Sequence, residues 1–449
     1  MKPHHTKQKG QTLVLVAVSL FSLIALAALA IDVTTLYVAR REMQRAADAA
    51  ALAGAKAFVE SGTTTAPQDP NLQGLARNIG NAYIAAIVQQ NKTGGSIPLL
   101  VGGAANYDFS RLGNPQITVT LQRTDVPTFF AHIFGRRVAT VTASATAEAY
   151  NSSLPPGGGG GMPPVAPSCV KPWMIPNADP RHARAPFVSL AGAIQNPGIY
   201  PGGIIGEEIT LLNGCDNGLP TCLPPHYPAP YVGPSLLTDP HYGDGLQYLP
   251  AQLAASTGSC PSCAGGSDFE QSSACCDTGN SAQYACGPTK PGVLMDLTTN
   301  IVSNTISSVE CLIGASGPGS GAGQDEIGLG AGAQPPADTF GDFLASNGND
   351  PIEIRAGGGP HPGQLVTTSP SIVTLPIYDN SGSIPLVGNL LGPVKIIGFM
   401  QAFVEQTNSP DADIVIYVLN ISGCGTNVNT GLTPVSGGGV SPVPVRLIQ

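Results

Sequence analysis

Between Thr12 and Ile31 the chain carries no charged side chain and reads TLVLVAVSLFSLIALAALAI. A run of about 18 or more apolar residues is long enough, as a helix, to cross a hydrocarbon core of roughly 30 Å. The residues after Asp32 are rich in Ala, Leu, Arg, Met, Gln and Glu, all strong helix formers, and no Gly, Pro or Asn/Asp cluster breaks them early. The sequence therefore predicts one helix over residues 10–58 that leaves a membrane and runs on into the soluble part of the chain.

Three fates compete for this segment. Lys2, Lys7 and Lys9 followed by an apolar run and Ala28-Leu29-Ala30 resemble a secretory signal peptide, but the run exceeds the usual h-region of about 7–15 residues. A buried core helix is the second fate, and an uncleaved anchor is the third and the favoured one. Orientation is nearly balanced by charge: Lys2, Lys7 and Lys9 precede the span, and Arg40, Arg41 and Arg45, mixed with Asp32, Glu42 and Asp48, follow it. The ten cysteines, all beyond residue 168, suit an oxidising compartment. They place the N-terminus inside and the body outside the cytoplasm.

The runs Gly10-Gln11-Thr12-Leu13-Val14, Ile31-Asp32-Val33, Leu36-Tyr37-Val38-Ala39-Arg40-Arg41 and Gln44-Arg45-Ala46-Ala47-Asp48-Ala49-Ala50-Ala51-Leu52-Ala53 resemble the N-terminal segment of TadG-like Flp pilus-assembly proteins. The resemblance implies a bacterial protein of the tight-adherence pilus system, held in the inner membrane with its body periplasmic or extracellular. Its partners would be the membrane and other pilus-assembly proteins, and the family pattern supplies no catalytic residue. Gly10 and Gln11 also resemble a prepilin leader-cleavage site. Pilin leaders carry Glu at the fifth mature position, where this chain has Leu15. A pilin-like subunit processed after Gly10 is thus an alternative.

Totals bound the rest. With 449 residues the chain has room for two to three domains. Charged residues are 11%, against about 25% in ordinary soluble domains, and 56 Gly with 42 Pro point to a loop-rich body. A net charge of −9 without a long basic run argues against nucleic acid as a partner, and no small-molecule substrate is identified.

Residues 32–60 continue the long helix with small side chains that let neighbours approach closely, and residues 61–70 read as a loop. Over 71–91, Leu72, Leu75, Ile79, Tyr83, Ala86 and Ile87 fall on one helical face, predicted to bury against a small sheet. Alternation in 117–121 and 141–149 predicts two strands, and residues 127–135 a short helix stopped by Gly135, with His132 packing at its surface. This strand–helix–strand is similar to the region after the anchor in TadE- and TadG-like proteins. The stretch LPPGGGGGMPPVAPS, 154–168, reads as an interdomain linker.

The candidate disulfide cysteines are Cys169, Cys215, Cys222, Cys260, Cys263, Cys275, Cys276, Cys286, Cys311 and Cys424, an even number whose pairing sequence does not give. Cys260-Pro261-Ser262-Cys263 also invites a zinc or a redox reading. The zinc site lacks its second ligand pair, and the redox motif lacks a strand–helix context. No Gly-x-Ser-x-Gly, His-Glu-x-x-His or phosphate loop occurs, and the histidines His132, His182, His226, His241 and His361 are scattered. The reading is of a non-enzyme without a cofactor or metal.

Residues 372–378, 393–404 and 413–419 are rich in β-branched and aromatic residues and predict one sheet. VTLPIYD and GPVKIIGFMQAFV there look like the C-terminal part of some TadG-related proteins. Asp379-Asn380-Ser381-Gly382-Ser383 fits the opening Asp-x-Ser-x-Ser of a von Willebrand factor A metal site, which makes a cation-dependent binding module or adhesin a second alternative. The 66 residues after Ser383 are too few for the rest of such a domain, and a turn capping a strand is the better account.

The expected fold class is a membrane-anchored α+β protein, one transmembrane helix continuing into a small α+β domain and then a loop-rich, cysteine-rich, mainly β region. The expected boundaries are a basic cytoplasmic leader, 1–11; an anchor, 12–31; an α+β TadG-like domain, 32–150; a Gly/Pro linker, 151–168; a Cys-rich region, 169–340; a β-rich region, 341–430; and a flexible tail, 431–449.

Overall fold

No proline interrupts residues 11–60, and the chain forms there a single helix, α1 (Lys9–Glu60), of 52 residues. At 1.5 Å per residue it is about 78 Å long. The computed structural model of the protein describes residues 9–110, 114–153, 165–183, 185–190, 192–212, 231–232, 245–251, 260, 263–276, 284, 286, 293–296, 302–314, 326–328, 353–355, 369–381, 383–384, 386–387, 390–408, 413–424, 435–436 and 441–448.

The helix has two halves with different surroundings. Large apolar side chains from Leu13 to Val33 stand in the open, Leu13 at 73% and Phe21 at 75% exposure, and Leu36 is the first to pack against the protein. From Ala39 on, one face disappears into the protein: Met43, Ala46, Ala47, Ala50, Ala51, Ala55 and Phe58 are buried. The alanines let a sheet lie close against the helix, where larger side chains would hold it away. That sheet is built on β1 (Gln116–Pro127) and β2 (Val138–Ala149), antiparallel with Val119 opposite Ala145 and Leu121 opposite Ala143. Their apolar face meets α1, while on the other face Thr118 and Thr120 bond the hydroxyls of Thr146 and Ser144 at 2.9 and 3.0 Å.

Between α1 and β1 runs α2 (Pro70–Gln90), started by Asp69, whose carboxylate accepts from the amides of Asn71 and Leu72, with Pro70 at the first helical position. Its buried face is wider than the pattern predicted. Ala76, Ile84 and Val88 join the core under the first sheet, whereas Leu72, Leu75, Ile79 and Tyr83 join a second core. Ala86, expected inside, is exposed. The reason is that α2 is wedged between two bodies, so two faces are covered rather than one.

The second core belongs to a larger sheet with β3 (Trp173–Pro176), β4 (Glu208–Leu212), β5 (Ile372–Tyr378), β6 (Ile396–Asn408) and β7 (Asp413–Gly423). The order is β3–β5–β6–β7–β4, extended at its two edges by Leu249–Pro250 and Leu246–Gln247. β5, β6 and β7 run antiparallel, and β3 lies parallel to β5. The three long strands are those predicted to share one sheet. Two features differ from expectation. The sheet draws β3 and β4 from the expected Cys-rich region and β5, β6 and β7 from the expected β-rich region, so the two contribute to one sheet. The C-terminal segment, expected to be a flexible tail, supplies β8 (Val445–Ile448), which pairs with β2 at the edge of the first sheet. Val435–Ser436 likewise pairs with Val165–Ala166, at the end of the expected linker. Four-residue strands that follow a Pro carry too little alternation to be recognised, and only the waiting edge of β2 gives β8 its partner.

A buried polar seam ties the two sheets together. Asn420 of β7 donates from Nδ2 to the Val59 carbonyl at 3.1 Å and to Thr64 Oγ1 at 2.7 Å, and its Oδ1 accepts from the Thr65 hydroxyl. Asn151, just past β2, donates to the carbonyls of Thr64 and Ile421 at 3.3 and 2.7 Å. The end of α1 is thereby fixed to the middle of the larger sheet.

Candidate functional site

The site begins where the exposed half of α1 ends. Asp32, the first charged residue after the apolar run, is only 5% exposed. Its carboxylate accepts from the amides of Phe129, Phe130 and Ala131 at 2.8, 3.0 and 2.7 Å. These are amides at the start of a short 3₁₀ turn, Ala131–Phe134, which Gly135 ends at φ 81°. Such amides have no partner within the turn, and an acidic side chain is the natural acceptor for them. Burial pushes the Asp32 carboxyl up, but the three amide bonds, led by Ala131, outweigh it and hold the pKa below its ordinary value.

This contact clamps the tip of the β1–β2 hairpin to the helix at the level where the helix leaves its apolar stretch. The tip exposes Phe129 at 62% and Val138 at 53%, beside the exposed cations Arg136 and Arg137. Aromatic and basic side chains side by side are the composition of a membrane–water boundary. His132 is exposed on the same tip, at the turn surface as expected.

Gly10 and Gln11 lie in the first turns of α1. Eight of the ten cysteines fall in four pairs, Cys169 with Cys276, Cys260 with Cys275, Cys263 with Cys311 and Cys286 with Cys424. Their Cα separations of 4.4, 4.7, 5.6 and 5.5 Å are within disulfide reach. Cys215 and Cys222 lie outside the described residues. Cys260 and Cys263 face different partners, an arrangement unlike a redox Cys-x-x-Cys. Cys263 and Cys311 join the region of α3 (Asp268–Ala274) to α4 (Val302–Ile313), and Cys286 reaches the residue after β7. At Asp379 the carboxylate accepts from the Ser381 amide at 3.0 Å, which is a turn closing β5.

One group was not foreseen. The loop between β3 and β4 brings together Asp179, His182 and Glu207, whose ligand atoms lie within 4.8 Å of one another. Asp179 and Glu207 are wholly buried. Burial and the nearby Asp179 carboxylate push the Glu207 pKa up to about 9. The Asp179-x-x-His182 spacing is the sole sequence signal, and Glu207 stands too far along the chain to be associated with it. His226, His241 and His361 are outside the described residues.

No curated protein and no solved structure matches the chain. The family comparison falls on the part of α1 that carries both the exposed apolar half and the Asp32 clamp: residues 10–57 match the family model described as putative Flp pilus-assembly TadE/G-like.

Proposed function

We propose that this protein is a structural component of Flp pilus assembly that works by contact and not by chemistry, with α1 crossing the inner membrane, the N-terminus inside and the body outside. The observation that carries this reading is the division of α1. The TadE/G-like segment of residues 10–57 contains an apolar half whose large side chains stand exposed and a small-residue half inside the core. A helix of about 20 apolar residues left open has lipid as its natural surrounding. The hairpin tip held by Asp32 carries Phe129, Arg136 and Arg137 beside the end of the apolar stretch, which supports a seat for the body against headgroups there. The body beyond, with its paired cysteines, would present surfaces to other assembly proteins.

The test is cell fractionation with protease protection, followed by the intact mass of the recovered chain. The expected result is a carbonate-resistant inner-membrane protein starting at or near Met1, its body digested only when protease reaches the periplasm. A soluble chain starting at Ile31 would refute anchoring. A chain starting at Gln11 would replace the assembly component with a processed, pilin-like subunit.

A further inference from the structure

Among the described residues, Asp179, His182 and Glu207 form a buried group that pilus-assembly contacts leave without a role. The Asp179 carboxylate is set by its own turn: Oδ1 accepts from the amides of Arg181 and His182, both at 3.0 Å. That leaves Oδ2, 2.7 Å from His182 Nδ1. Glu207 is held from the other side, because its carbonyl accepts from the Val418 amide of β7 at 3.0 Å and its own amide donates to Ile204 at 3.3 Å. Its side chain is completely buried with Oε2 3.6 Å from the same Nδ1, yet neither carboxylate oxygen has a hydrogen-bond partner. Burial without a partner disfavours the charged form of this group, and a cation beside it would restore that form.

The imidazole settles what could supply that partner. His182 Nε2 is 3.2 Å from the Pro201 carbonyl, which only accepts, so Nε2 carries a proton. Nδ1 lies between the two carboxylates, 2.7 Å from Asp179 Oδ2 and 3.6 Å from Glu207 Oε2, and without its proton it offers a lone pair to an ion held by both. The three groups converge in a dry space, and each becomes a metal ligand once it gives up its proton, so a divalent cation can take the place of the protons that otherwise join them. An imidazole oriented by a backbone carbonyl on its far nitrogen is also the usual support of a metal-ligating histidine.

We propose that Asp179, His182 and Glu207 bind a divalent transition-metal ion of the zinc class through Oδ2, Nδ1 and the Glu207 carboxylate. One nitrogen and two oxygens suit zinc better than calcium, which takes six to eight oxygens. Two carboxylates balance the charge of the ion, and the 17% exposure of the His182 side chain gives it a way in and a place for a water ligand. Asp179 follows β3 and Glu207 precedes β4, strands at opposite sides of the larger sheet. The ion would therefore fasten the two ends of the crossover that spans the sheet.

The full-length protein in detergent, stripped with chelator and dialysed, is titrated with Zn²⁺ alone and its metal content read by mass spectrometry and calorimetry. The expected result is a zinc ion whose affinity falls about 100-fold or more in both Glu207→Gln and His182→Gln, since loss of a supporting contact alone costs 10–100-fold. Thermal unfolding with and without Zn²⁺ is measured on each variant. The wild type should be stabilised by the ion, and both variants should fold and show no such shift. The proposal fails if the wild type takes up no zinc after stripping. It also fails if zinc binds folded Glu207→Gln as tightly as the wild type, which would place the ion elsewhere. A variant that does not fold leaves the other, and the wild-type titration, to decide.

Discussion

Replacing Asn420 by Leu would weaken the joint between the two sheets. The amide makes three bonds in the buried seam, to the Val59 carbonyl, to Thr64 Oγ1 and from the Thr65 hydroxyl. The losses are unequal. The Val59 carbonyl keeps the Gly62 amide at 3.2 Å, and the Thr65 hydroxyl keeps Ile421, whose carbonyl is at 3.3 Å and whose amide donates at 3.0 Å. Thr64 Oγ1 loses the bond outright. At about 1 kcal/mol net for each bond removed, Asn420→Leu should destabilise the protein by about 3 kcal/mol. Thr65→Val should weaken the same seam. Because both changes delete the Asn420–Thr65 bond, the double variant should fall short of the sum by about 1 kcal/mol. The assay is urea unfolding of the full chain in detergent for the wild type, the two single variants and the double variant. A single-variant effect under about 0.5 kcal/mol, the level of an ordinary surface change, would refute the reasoning. Strict additivity in the double variant would refute the network.

Lys171 is fully buried, with its ammonium donating to the Cys275 carbonyl at 2.8 Å, and burial pushes its pKa down to about 7. The unfolded chain keeps that proton at higher pH, so stability should rise by about 2 kcal/mol between pH 7 and 9. Lys171→Met should flatten the rise, and parallel pH profiles for the two proteins would show that Lys171 is not its source. For the cysteines, thiol alkylation before and after reduction should label the paired positions only after reduction, and fragment masses should join Cys263 to Cys311. Chain entropy alone makes that closure worth about 4 kcal/mol, so Cys263→Ser with Cys311→Ser should unfold at clearly lower urea. Free thiols in the protein recovered from the periplasmic face would contradict the pairing.

What could be read from the sequence follows from how long each pattern lasts. The apolar run from Thr12 and the alanines after it span many helical turns, and the helix they predict is the one observed. β1, β2, β5, β6 and β7 each hold seven or more residues with sustained β-branched content, and all were anticipated. The four-residue β3 and β8 were not, since Trp173-Met174-Ile175-Pro176 and Val445-Arg446-Leu447-Ile448 become strands only because an edge is available to them. The Asp32 clamp was invisible for a similar reason: its amide partners are backbone groups nearly a hundred residues away, and backbone leaves no trace in a sequence. Asp179, His182 and Glu207 converge through a crossover whose path only the assembled sheet determines.

The place of β8 also has a meaning in time. During synthesis α1, β1 and β2 emerge first, and β2 then presents an unpaired row of amides and carbonyls along its outer side. That side stays open while the whole of the larger sheet is made, and it closes only when Val445–Ile448 arrives. The sheet built on β1 and β2, begun first, is therefore finished last. Over that interval its open strand is a place where a second chain can pair.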